Sequence, residues 1–100
     1  MARVRWLPEA IEDFERLYFF LLEKDTEAAE KVAFSILRGS NLLKSTPRIG
    51  RLVPDDKHKR ELFMAFGAGA YVIRYRLESE ESVVIVKVWH SRENRTNLQV

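Results

Sequence analysis

The chain has no cysteine among its 100 residues. That excludes a disulfide framework and any thiolate metal site. Its two histidines, His58 and His90, lie far apart and show no HExxH spacing. No metal site and no cofactor are therefore expected. Glycine and proline are scarce, at four and three residues. No low-complexity tract or linker divides the chain, so a single domain spanning 1–100 is expected. No P-loop, GxGxxG or GxSxG is present. No apolar run approaches membrane-spanning length. MARVRWLPEA lacks the continuous apolar core of a secretory signal, which leads to an expectation of a cytoplasmic protein with no membrane partner. Net charge is also small, +2. That is too weak to argue for nucleic acid by itself. Residues 1–50 balance eight cations against eight anions, whereas residues 51–100 carry nine against seven.

What is present has two periods. Val4 to Leu7 reads as a short strand. Pro8 suits the first turn of a helix, where its missing amide is not needed. Glu9, Glu12, Asp13 and Glu15 favour a helix N-terminus, although Leu7 is a poor cap. Ile11, Phe14, Leu17, Tyr18, Leu21 and Leu22 form one apolar stripe. Phe19 and Phe20 lie off that stripe. Either the domain covers the helix on two sides, or these rings form a docking surface for a partner. Asp25 and Thr26 can cap a second helix. Ala29, Val32, Ala33, Ile36, Leu37 and Leu43 carry it to about Lys44. Gly39 and Ser40 either let the two helices approach closely or mark a weak point. The short link between the helices implies an antiparallel hairpin.

From Glu61 onward the period changes to two. Leu62, Met64 and Phe66 alternate with Glu61, Phe63 and Ala65, and Gly67 and Gly69 make a turn. Tyr71, Ile73, Tyr75 and Leu77 follow, then Val84, Val86 and Val88. Three antiparallel strands in a meander are expected, with these apolar sets facing the helices. The fold class is thus α+β: a short N-terminal strand, an antiparallel helix hairpin and a C-terminal antiparallel β-meander. Strict alternation puts Glu61, Arg74, Arg76, Lys87 and Trp89 on the opposite, open face. Three cations and an aromatic on one face raise the case for an anionic partner.

The order of elements resembles the RelE/ParE superfamily of bacterial toxins. The pieces that carry the likeness are VRWLPEAIEDFERLYFFL, PRIGRLVPD, KRELFMAFGAGAYVIRYRL and VVIVKVWHSREN, which together span nearly the whole chain. Its sequence is most similar to the ParE, or plasmid-stabilisation, branch. The resemblance implies the toxin of a type II toxin-antitoxin system that causes growth arrest. It implies a protein antitoxin as partner, and operator DNA reached only through that antitoxin. ParE-like members poison DNA gyrase, whereas RelE-like members cleave messenger RNA on the ribosome. A shared fold does not choose between them.

The expected target-binding residues are Arg74, Arg76, Lys87, Trp89, His90 and Arg92. The antitoxin is expected over Tyr18, Phe19 and Phe20 and partly over the open sheet face. A homodimer could use the same two phenylalanines. The main reading is a gyrase inhibitor and not an enzyme. The alternative is a metal-independent endoribonuclease, with His90 and Glu61 moving protons and Arg74 or Arg92 holding phosphate. Strict alternation counts against that pair, because it sends His90 to the helix side and Glu61 to the open side. A third reading is a decayed toxin that survives as a binding module. His90 can equally hydrogen-bond a neighbouring carbonyl or carboxylate. The polar cluster His90, Ser91, Arg92, Glu93 and Asn94 either touches a target or organises the exit of the last strand.

Overall fold

Seven elements follow one another in the computed structural model, which describes residues 1–93. They are β1 (Arg3–Trp6), α1 (Pro8–Leu22), α2 (Thr26–Ser45), β2 (Arg51–Val53), β3 (Asp56–Phe66), β4 (Gly69–Ser79) and β5 (Ser82–His90). The expected meander, β3-β4-β5, forms the middle of a five-stranded sheet ordered β1-β5-β4-β3-β2. β1 adds to β5 in parallel, and β2 adds to β3 antiparallel. The sheet is therefore mixed. β2 has no counterpart in the sequence reading, because its three residues are too short to show a period.

Pro8 does open α1, and Leu7 stands at the cap without a side-chain bond. The sheet instead fixes the main chain at the cap. Leu7 N–H donates to the Ile85 carbonyl at 3.0 Å, while its own carbonyl accepts from Ala10 and Ile11. Asp25 caps α2 as expected, accepting from Ala28 N–H at 3.2 Å.

α2 runs unbroken through Gly39 and Ser40. The close approach at Gly39 is to the sheet, not to α1. A methyl group there would overlap the Met64 sulfur and lie 3.3 Å from Ile73 Cδ1. Ser40 Oγ accepts from Trp6 Nε1 at 3.0 Å, which ties β1 to α2. The core between helices and sheet holds Val32, Ile36, Leu43, Ile73, Tyr75 and Val88, all at most 1% exposed. Two residues of the expected stripes instead face outward: Ile11 is 45% and Leu37 53% exposed.

The third meander strand differs from strict alternation. Arg74 pairs with Lys87, but Tyr75 pairs with Ile85, so Val86 is an extra residue in β5. An inserted residue reverses the parity of every side chain on one side of it. Val83 and Ile85 therefore join the helix-side core, in place of Val84 and Val86. Beyond the bulge the alternation is as expected, with Val88 inward and Lys87 opposite Arg74.

The loop before β2 is clasped from beneath. The Tyr75 hydroxyl donates to the Pro47 carbonyl at 2.8 Å and accepts from Gly50 N–H at 2.9 Å. Arg60 Nη1 adds bonds to the Arg48 and Gly50 carbonyls at 3.0 and 2.7 Å. Burial raises the Tyr75 phenol pKa above its ordinary value of 10.0, outweighing the bond from Gly50 and the charge of Arg60. A raised folded-state pKa means that the unfolded chain loses this proton first. Stability should thus be constant up to about pH 10 and fall above it, since the unfolded phenol titrates there. Urea unfolding between pH 8 and pH 11 measures this. Tyr71, raised by burial and by the charge of Glu93, adds to the same decline.

Candidate functional site

β1 pairs with β5 only from Ser82 to Ile85. Past that point β5 is a sheet edge beside α1, and side chains cap its amides. Val88 N–H donates to Asp13 Oδ2 at 3.0 Å, and His90 N–H to Glu93 Oε1 at 3.0 Å. Arg16 joins the two carboxylates, 3.7 Å from Asp13 and 3.1 Å from Glu93. Ser91 closes the exit against β4, with N–H to the Ala70 carbonyl at 2.8 Å and Oγ accepting from Ala70 N–H at 3.0 Å. Arg92 N–H donates to His90 Nδ1 at 3.1 Å. That nitrogen must carry a lone pair, so the ring proton of this arrangement sits on Nε2. The polar cluster after the strand thus organises its exit. Asn94, its last member, lies outside the described residues.

His90 faces the helix side, as alternation from Val88 predicts. Its ring meets Tyr71 edge-on at 4.8 Å between centroids. Gly69 makes room for it, because a methyl group there would lie 2.7 Å from His90 Cε1. Beside this ring opens a groove of about 890 Å³ between α1 and the sheet. Leu17, Phe20, Leu21 and Tyr71 supply apolar lining, and Arg16, Lys87, Arg92 and Glu93 supply charge. Phe19 and Phe20 are 56% and 59% exposed, which overturns the reading that the domain covers them. Tyr18 packs edge-on against Phe19 at 5.5 Å, and Lys24 Nζ sits 4.9 Å from the Phe20 ring centre.

The other sheet face carries rows of side chains set by register. Lys59, Arg76, Val84 and Arg5 form one row. Arg51, Glu61, Arg74 and Lys87 form the next. Six cations thus share two rows with one carboxylate. That carboxylate is taken: Arg74 Nε and Nη2 both donate to Glu61 Oε2, at 2.9 and 2.5 Å. Arg74 also stacks 5.1 Å over the Trp89 ring. Trp89 is 1% exposed, so the face expected to present it buries it instead. Arg5 and Arg76 both pair with Glu78, and Lys87 with Glu9, at the margins of the face.

The candidate nuclease residues are therefore separated. His90 and Arg92 flank the helix-side groove, whereas Glu61 and Arg74 are locked together on the opposite face. Among the described residues no cluster of side chains suits a metal ion, and no helix is long and apolar enough to cross a membrane. Sequence reasoning missed Asp13 and Arg16. They read as ordinary polar positions on α1, and only the register of β5 beside that helix gives them a role.

Residues 4–95 match the family described as ParE toxin of type II toxin-antitoxin system, parDE. The chain belongs to the ParE toxin family. Among curated relatives, Toxin RelE1 of Caulobacter vibrioides is 39% identical over 83 residues, covering 83% of this chain and 86% of that protein. Toxin RelE3 of the same organism is 34% identical over 95 residues, covering 95% and 100%. A solved structure titled the chromosomal ParDE TA system from P. aeruginosa superposes with a TM-score of 0.70. The match covers 88% of this chain and 94% of that one at 18% identity, which supports the fold. Toxins of this family pair with a cognate antitoxin.

Proposed function

We propose that this toxin acts by binding DNA gyrase and holding it on cleaved DNA, without catalysing a reaction itself. The supporting observation is the separation of His90 and Glu61, the acid–base pair that the sequence suggested. General acid–base cleavage needs both groups within hydrogen-bond reach of one phosphate. Glu61 is engaged by Arg74 on one sheet face, while His90 lies in the groove on the other. The residues that remain suit binding. Arg76, Lys87 and Arg74 give the open face a basic band, and His90 and Arg92 extend the target surface around the end of β5. Trp89 serves from beneath, as the platform under Arg74. A second reading, cleavage of messenger RNA on the ribosome, draws on the RelE names of the two curated relatives.

The antitoxin belongs over Tyr18, Phe19 and Phe20 and into the adjoining groove. An amphipathic segment can seat apolar anchors against Leu17, Phe20 and Leu21 and meet Arg16 or Arg92 with an acidic group. Segments that fold as they bind cover such extended surfaces.

Charge reversal tests the target surface. Arg76 is half-buried and, among the described residues, pairs with exposed Glu78, and Arg92 is exposed, so neither charge contributes much to stability. The double variant Arg76→Glu with Arg92→Glu should keep its unfolding midpoint. It should weaken target binding by about 100-fold, since like-charge contacts cost several kcal/mol. Full growth arrest at equal expression would remove these residues from the target surface.

A further inference from the structure

The outer face of α2 has an order of its own. Glu27, Glu30, Phe34, Leu37, Asn41 and Lys44 are all exposed. Their steps alternate between three and four residues, which is the period of a coiled-coil seam. The buried residues Val32, Ile36 and Leu43 occupy a different face of the same helix, turned to the core. At the middle of the seam Phe34 is 67% and Leu37 53% exposed. Either residue alone would be ordinary surface. Set side by side in a continuous seam, they leave a helix face without a partner.

The charge along the seam says what fits it. Two acids, Glu27 and Glu30, stand at its N-terminal end. The apolar pair is central, and Asn41 and Lys44 stand at its C-terminal end. Such a seam complements itself when reversed. Antiparallel pairing sets Phe34 against Leu37 of a second copy, Glu30 against Asn41 and Glu27 against Lys44. A two-fold axis repeats each contact. Parallel pairing would instead stack acid on acid and Lys44 on Lys44. Glu30, Arg38 and Lys44 form no ion pair among the described residues. Arg38, exposed beside the seam, comes within a turn of Glu30 of the second copy in the antiparallel register. Glu27 already meets Lys31 at 3.1 Å, so Lys44 of the second copy adds a second cation to an existing pair.

We propose that two copies of this chain associate antiparallel through the outer face of α2. The seam is separate from Phe19 and Phe20, which belong to α1, and the proposal does not depend on the toxin's target. One helix pair buries less surface than a standard interface, so the dimer should be weak, with a dissociation constant of about 10–100 μM.

Sedimentation velocity of the free toxin across about 1–300 μM brackets that value. The wild-type chain should pass from monomer to dimer. Phe34→Lys should associate at least about tenfold more weakly. The unfolding midpoint of this variant in dilute solution should match wild type, because the replaced side chain is exposed. Leu37→Lys should behave alike. Cross-linking reads the direction, and the absence of cysteine gives it a clean background. Glu30→Cys mixed with Asn41→Cys should oxidise to a mixed disulfide dimer, whereas neither variant should cross-link alone. A wild-type chain that stays monomeric throughout overturns the proposal, and if Phe34→Lys then lowers antitoxin affinity, the face belongs to the antitoxin. A dimer that survives both lysine variants uses another surface and overturns it equally. Cross-linking of like with like would contradict the antiparallel register.

Discussion

Arg74→Ala is expected to destabilise the fold by about 3–5 kcal/mol, the cost of leaving a buried charge without its partner. Glu61 is 8% exposed, and both Arg74 donors converge on its Oε2 atom. Removing the guanidinium strands that carboxylate and also uncovers the face of Trp89. The second half of the prediction separates pairing from packing. Replacing both partners, Arg74→Met with Glu61→Leu, should recover most of the loss, because apolar substitutes of similar volume need no counter-charge. Urea denaturation of the two variants measures both values. A loss below about 1 kcal/mol for Arg74→Ala would mean that solvent reaches Glu61 and that the pair behaves as a surface one. The result also governs how toxicity is interpreted. An Arg74→Ala toxin that fails to arrest growth has lost its fold before it has lost a target contact, whereas Arg76 and Arg92 are free of that ambiguity.

Gly50→Ala should cost about 3 kcal/mol, combining overpacking with a broken buried hydrogen bond. An added methyl group would lie 2.7 Å from the Tyr75 hydroxyl, 2.8 Å from its Cε1 and 2.9 Å from the Glu61 carbonyl. None of these can retreat cheaply. Tyr75 is fully buried, and the carbonyl is main chain within the sheet. Moving the ring also breaks the clasp on Pro47 and Gly50. Gly67→Ala provides the contrast. Its φ is +59° in the β3–β4 turn, but nothing lies within 4 Å of an added methyl group. Its cost should therefore stay near 1–2 kcal/mol, the penalty for left-handed backbone alone. Thermal or urea unfolding ranks the two. Equal losses would show that the loop before β2 yields more easily than its contacts imply.

Much of this architecture was legible in local pattern. Proline at the start of α1, Asp25 at the start of α2 and the alternation of β3 and β4 each follow from one residue's chemistry or one period. β1 as a partner of β5 and β2 as a partner of β3 were not legible, because strands of three or four residues carry too little pattern. The Val86 bulge was invisible for a different reason. Val83 to Val86 are all apolar, so nothing in composition marks which of them faces the core. The candidate site divides the same way. His90 fell on the helix side by counting from Val88, and Glu61 on the other. Asp13, Arg16 and Glu93 meet only through tertiary register, and the capping of an edge amide leaves no mark in a sequence. Trp89 looked like a surface aromatic on a basic face, yet it lies beneath Arg74. Alternation assigns a face, and burial depends on what else covers it.

The central claim is that growth arrest begins at DNA and not at translation. Brief induction in cells lacking the antitoxin, with labelled thymidine and labelled leucine followed over the first minutes, tests it most directly. Thymidine incorporation should fall first while leucine incorporation continues. If leucine incorporation falls first, the toxin acts on the ribosome and the gyrase reading is wrong. If neither falls while soluble protein accumulates, the chain is a binding module without toxicity.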